Sequence, residues 1–148
     1  MGSVKNKVVF VTGGAQGVGA DLVRRLHRKG ASLVVTDIDT AALTALGAEL
    51  GEDRLLTAVA DVRDLAVQRF GGIDVVVANA GIATYGSVLQ VDPEAFRRLI
   101  DINVNGVFHT VRATLPAVLD RRGYVLIVSS FAAYTAALGV YTRANDPM

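Results

Sequence analysis

A chain of 148 residues suffices for one domain with a sizeable core, and a single domain over residues 1–148 is expected. The mean hydropathy of +0.41 is high, yet the apolar residues come in short runs, none near the roughly 18–20 that span a bilayer. A net charge of +1 with interspersed signs argues against a nucleic-acid or membrane-surface partner, and the absence of cysteine excludes disulfides and thiolate sites.

Met1 to Asn6 hold no apolar signal segment, and Asn6 breaks the myristoylation pattern at its Ser/Thr position, so a cytoplasmic location is expected. Val8-Val9-Phe10-Val11 reads as a buried strand. The glycine-rich turn Thr12-Gly13-Gly14-Ala15-Gln16-Gly17-Val18-Gly19 follows. It leads into a helix over 18–29, where Leu22, Val23 and Leu26 recur at helical spacing beside Arg24, Arg25 and Arg28. Lys29-Gly30 stops that helix, and residues 31–36 form a second buried strand ending at Asp37. Thr40 is the expected cap of a helix over 41–50, closed by Gly51. A third strand over 55–60 ends at Asp61-Val62, a short helix is expected over 65–70, and a fourth strand over 73–78 breaks at Asn79-Ala80-Gly81. Asp92-Pro93-Glu94 reads as an N-cap followed by proline at the first helical position. Helical periodicity then runs to about Arg122, with bends expected near 103–106 and at Pro116, before a fifth strand over 124–129.

Strands alternating with helices predict an α/β fold of the Rossmann type, a doubly wound parallel sheet of about five strands in the order 3-2-1-4-5. Ligands of such sheets bind beyond the carboxyl ends of the strands. Here those ends are the polar and glycine positions that interrupt the apolar runs. A glycine turn between strand and helix suits an anion, because glycine leaves no Cβ in the way and the helix start offers free N–H groups with partial positive charge. Asp37 lies 18 residues beyond Gly19. A carboxylate there can accept from both hydroxyls of an adenosine ribose and repels a 2′-phosphate, which favours NAD over NADP. Asp39 reads as a solvated turn residue. Asp61 can reach an adenine amino group or, equally, cap the next helix. His27 and His109 read as structural, no metal-ligand spacing is present, and the pairs Arg24-Arg25, Arg97-Arg98 and Arg121-Arg122 read as solvated faces.

Together these motifs resemble the short-chain dehydrogenase/reductase family of nicotinamide-dependent oxidoreductases. Thr12-Gly13-x-x-x-Gly17-x-Gly19 is similar to its cofactor turn, and Asn79-Ala80-Gly81 to its Asn-Ala-Gly signature. Asn103-Val104-Asn105-Gly106 resembles the helix asparagine of its proton relay, and Val128-Ser129-Ser130 the strand that carries its serine. The resemblance implies that Gly13, Gln16, Gly17, Val18, Gly19, Asp37, Ile38, Asp61, Val62, Asn79, Ala80 and Gly81 bind the cofactor. It implies that Asn103, Ser130 and Tyr141 carry the reaction, a hydride transfer between nicotinamide and an alcohol or ketone.

The family's tyrosine is followed four residues later by a lysine, which lowers the tyrosine pKa from about 10. Tyr141 is followed there by Asn145, and the three lysines, Lys5, Lys7 and Lys29, all lie early in the chain. Family members continue past the point matched by Met148, so the chain is expected to be truncated relative to them. A second reading is therefore an NAD-binding module without turnover. Self-association along an open fifth-strand edge is also expected.

Overall fold

The computed structural model describes residues 3–59, 69–84 and 86–130. Five parallel strands are present among them: β1 (Val8–Thr12), β2 (Ser32–Thr36), β3 (Leu55–Ala58), β4 (Val75–Ala78) and β5 (Tyr124–Ile127). They form one sheet in the order β3-β2-β1-β4-β5, the order expected from the alternation of elements. Val9 of β1 stands opposite Leu33 of β2 and Val75 of β4, so the three central strands start in step.

Continuous apolar runs suit strands buried on both faces, and the two-residue pleat divides each run between two cores. Val9, Val11, Leu33, Val35, Val75 and Val77 face one side with Val23, Leu43 and Leu46 of the first two helices. Val8, Phe10, Val34 and Val76 face the other side with Ile73 and Val118. The helices are α1 (Gly17–Arg28), α2 (Thr40–Leu50), α3 (Pro93–Ile100) and α4 (Gly106–Asp120). At β5, the sheet edge, Tyr124, Leu126 and Ile127 are each at least half exposed.

Several boundaries differ from the sequence reading for physical reasons. Asp39 rather than Thr40 caps α2, its side chain accepting from the Ala42 N–H at 2.9 Å. The long helix from Asp92 is divided by a π-helical turn, Asp101–Asn105, between α3 and α4. That turn supplies the bend expected near 103–106, whereas Pro116 sits inside α4 without ending it. Of the short helix expected over 65–70, Arg69 and Phe70 are helical and the rest lies outside the described residues.

At the amino end of the sheet, Asp74 is buried just before β4. Its carboxylate accepts from the Val8 N–H at 2.8 Å and from the Lys7 ammonium at 3.0 Å, with the Arg121 guanidinium 3.9 Å away. Burial pushes this carboxyl up, but the Val8 N–H, Lys7 and Arg121 together outweigh burial and hold it below its ordinary value.

Candidate functional site

The carboxyl end of the sheet is assembled by hydrogen bonds between neighbouring loops. The Thr12 hydroxyl, at the end of β1, accepts from the Asn79 and Ala80 N–H groups, each at 3.1 Å. The Asn79 side-chain amide donates back to the carbonyls of Thr12 at 3.1 Å and Gly13 at 2.8 Å. These four bonds lash the glycine turn to the β4 turn. Gly14 N–H donates to the Thr36 carbonyl at 3.2 Å and ties the same turn to β2. The role of Thr12 was not assigned from sequence, although a hydroxyl residue closing an apolar strand was the available signal.

The turn leaves room where a ligand would approach. Gly17 has φ +52, and a Cβ built there would meet nothing within 4 Å. Gly19 is the opposite case: its Cβ would lie 2.1 Å from the Gly13 carbonyl oxygen, so glycine is required for α1 to pack on the turn. The amino end of α1 has no side-chain cap and no acid in its first turn, which leaves N–H groups and the positive end of the helix dipole open to an anion.

Asp37 lies at the end of β2, half-buried. One carboxylate oxygen accepts from the Ala15 N–H at 3.0 Å and the other from the Asp39 N–H at 3.1 Å. A carboxylate has about four lone-pair positions, so roughly two remain for a ligand. Asp39 in turn accepts from the Gln16 side-chain amide, across from the glycine turn. The solvated turn residue expected at position 39 is thus both the α2 cap and a tie to the turn.

These loops surround a cleft of about 470 Å³. Of the expected cofactor residues, Gly13, Gln16, Val18, Gly19, Asp37, Ile38, Asn79, Ala80 and Gly81 line it; Gly17 does not, and Asp61 and Val62 lie outside the described residues. Val18 and Ile38 are 76% and 81% exposed, apolar surfaces at its rim. Asp37 is the one ionisable side chain among the described lining residues. The open turn, the uncapped helix and the spare carboxylate lone pairs fit an anionic dinucleotide.

Asn103, in the π-helical turn, uses both ends of its amide on one residue. Its Nδ2 donates to the Ile82 carbonyl at 2.8 Å, and its Oδ1 accepts from the Ile82 N–H at 2.9 Å. The side chain therefore fixes the loop segment that follows Asn79-Ala80-Gly81. Ser130 is exposed beyond β5, where Val128 N–H still donates to the Ala78 carbonyl at 3.0 Å. Asn79 and Ser130 thus follow neighbouring strands at one sheet end. Tyr141 lies outside the described residues.

The histidines are not among the described cleft residues. Burial, then the Arg54 charge, lowers the pKa of His27, and His109 packs edge-on against Phe108. Among the described residues no group of three His, Cys, Asp or Glu side chains could hold a metal ion, and no helix is long and apolar enough to cross a membrane.

The family model for short chain dehydrogenase matches residues 7–144. The chain is 39% identical to cis-2,3-dihydrobiphenyl-2,3-diol dehydrogenase of Paraburkholderia xenovorans (strain LB400), over 98% of this chain and 55% of that protein. Among solved structures it is similar to a short-chain dehydrogenase/reductase (glucose/ribitol dehydrogenase) of Brucella melitensis, with TM-score 0.85 and 33% identity over 93% of this chain and 62% of that one. It is also similar to 3-ketoacyl-(acyl-carrier-protein) reductase of Brucella melitensis complexed with NADH, with TM-score 0.81 and 30% identity over 88% of this chain and 60% of that one. The chain spans between 55% and 62% of the length of these three relatives.

Proposed function

This chain belongs to the short-chain dehydrogenase/reductase family, and from that premise we propose that it binds NAD and transfers hydride between nicotinamide and an alcohol or ketone. The cofactor supplies the hydride acceptor or donor when bound. The protein's own part begins at the glycine turn, where the open α1 amino end takes the pyrophosphate. Asp37 accepts from the adenosine ribose hydroxyls, and the apolar faces of Ile38 and Val59 flank the base. Ser130 holds the substrate oxygen and Tyr141 carries the proton, roles supported by the family motif rather than by geometry. Asn103 contributes by fixing Ile82 beside the cleft. The 39%-identical relative is named for a diol, which supports an alcohol as one form of the substrate.

The observation that carries NAD rather than NADP is Asp37, a carboxylate with lone pairs to spare and no cation beside it among the described lining residues. A fluorescence titration of NADH and NADPH tests it. The unmodified chain should bind NADH saturably and more tightly than NADPH. Asp37→Ala should weaken NADH by about tenfold, the loss of one or two charge-assisted hydrogen bonds, and narrow the preference. An unchanged preference in a folded variant would reduce Asp37 to a turn residue.

A further inference from the structure

Past Gly81 the chain leaves the cleft along a surface that the nicotinamide reading does not use. Ile82 lines the cleft and also borders a second cavity of about 360 Å³, shared with Thr84, Ala95 and Arg98. Thr84 in turn borders a third cavity of about 470 Å³, lined by Val88, Val91, Phe96 and Leu99. The three cavities therefore adjoin through Ile82 and Thr84, and each has the size of a small-molecule site. Ile82 follows β4, so the groove departs on the Ser130 side of the sheet and not on the Asp37 side.

The far cavity is apolar, with Thr84 its one polar residue among the described lining. Phe96 and Leu99 of α3 face it, Glu94, Arg97 and Arg98 of the same helix are exposed, and no residue of α3 is buried. The loop ahead of α3 is held by its own turn. The Ser87 carbonyl accepts from the Gln90 and Val91 N–H groups at 3.0 and 2.9 Å, and the Ser87 hydroxyl donates to Gln90 Oε1 at 3.0 Å. That turn keeps Val88 96% exposed, while Phe96 is 54% exposed. Apolar surface held in water by an ordered turn is stabilised by any apolar group that covers it.

The middle cavity leaves neither of its acids unpartnered. Asp92 caps α3, accepting from the Glu94 and Ala95 N–H groups at 3.3 and 3.2 Å, and Glu94 pairs with Arg97. From Ile82 to Thr84 the path is short, about 7 Å for two extended residues. A flexible arm of a few carbons on a molecule seated in the cleft therefore reaches the apolar cavity.

We propose that this groove is a second substrate subsite, and that the chain takes alcohols or ketones bearing a flexible apolar arm. The arm passes Ile82 and Thr84 and fills the space between the 86–91 loop and α3. The inference rests on the hydride-transfer reading above and deepens it by naming the substrate class.

The test uses secondary alcohols that differ only in one arm, from ethyl to octyl, titrated by calorimetry into the full chain with NADH present. Alcohol and NADH are both reduced, so nothing turns over and binding alone is read. Affinity should rise about threefold for each methylene that enters the cavity, and level off once it is full. Phe96→Asp, at a half-exposed position, puts a charge against the arm. It should cut the octyl-over-ethyl preference by at least about tenfold and leave NADH affinity unchanged. If Phe96→Asp does not fold, Val88→Asp serves, because a side chain 96% exposed supports no core. An affinity that ignores arm length, or a preference that survives a folded variant, overturns the subsite. So does sedimentation showing that the unmodified chain self-associates through this face and the variant does not. A chain that binds no NADH overturns the nicotinamide reading by itself. The arm series is then read on the cofactor-free chain, which tells the two failures apart.

Discussion

The two ends of the sheet hold similar groups and use them differently. At the amino end, Asp74 is buried and its carboxylate meets the Val8 N–H, Lys7 and Arg121, all from this chain. At the carboxyl end, Asp37 is half-buried and among the described residues is bonded only by two backbone N–H groups, and the start of α1 carries no side-chain cap. A carboxylate whose partners are all supplied internally fastens strands together. One held in place with lone pairs left over is available to something else. The comparison supports the carboxyl end as the binding end of the sheet without any appeal to a bound molecule.

Filling the open end should have the largest effect. Gly19→Ala puts a Cβ 2.1 Å from the Gly13 carbonyl oxygen and 2.6 Å from the Asn79 side-chain nitrogen, so the turn and the helix must separate. We expect a loss of about 3 kcal/mol in stability, at the upper end for overpacking, together with loss of NADH binding. Gly17→Ala is the matched control, because its Cβ meets nothing. It should cost only the roughly 1 kcal/mol of a left-handed backbone in a non-glycine residue. Equal denaturation midpoints for the two variants would show that the close approach at Gly19 is not limiting.

Breaking the closed end should cost stability and spare the cleft. Asp74→Ala strips the acceptor from a buried strand N–H and from Lys7, whose side chain is half exposed and recovers part of its hydration. A loss of about 2 kcal/mol is expected by urea denaturation. The pH dependence has a definite sign. The folded-state pKa of Asp74 is depressed, so its contribution is fully present above the unfolded value of about 4 and fades as pH falls through the lower folded value. Asp74→Asn should therefore be less stable than the native chain at neutral pH, with the gap closing in acid. A gap that stays constant down to pH 2 would mean the carboxylate charge contributes nothing.

How much of this was legible in the sequence follows from the range of each signal. The strands and their order were readable, because apolar runs such as Val75-Val76-Val77 are local and parallel alternation leaves few topologies. The glycine turn was readable from its strand-before, helix-after setting. Asp74 was not singled out: it is one acid at the head of an apolar run, and its partners Val8 and Lys7 lie 66 and 67 residues away. Asp39 and Thr40 are both good caps, and spacing does not say which of two adjacent residues leaves helical geometry. Asp39 takes the cap because its oxygen reaches Ala42 while Thr40 is already helical. The bend near Asn103 was legible as a break in periodicity, but not its form as a π-helical turn.

That turn carries the smallest of the expected effects, and it sits on the cleft side of the comparison. Asn103 gives both amide atoms to Ile82, the residue that follows Gly81 in the lining of the cleft. Asn103→Ala removes two part-buried hydrogen bonds and leaves the Ile82 N–H and carbonyl to find water. We expect a loss of about 1–2 kcal/mol in stability and a weaker, not abolished, affinity for NADH. Asn103→Asp is the sharper probe. It keeps the acceptor for the Ile82 N–H but sets a second oxygen against the Ile82 carbonyl, so half the pairing becomes repulsive. If the amide serves to hold this segment, Asp should bind NADH no better than Ala, despite its closer shape. An Asp variant that binds like the native chain would mean the Ile82 carbonyl needs no donor, and that the bonds of Asn79 and Ala80 to Thr12 and Gly13 suffice to place the segment.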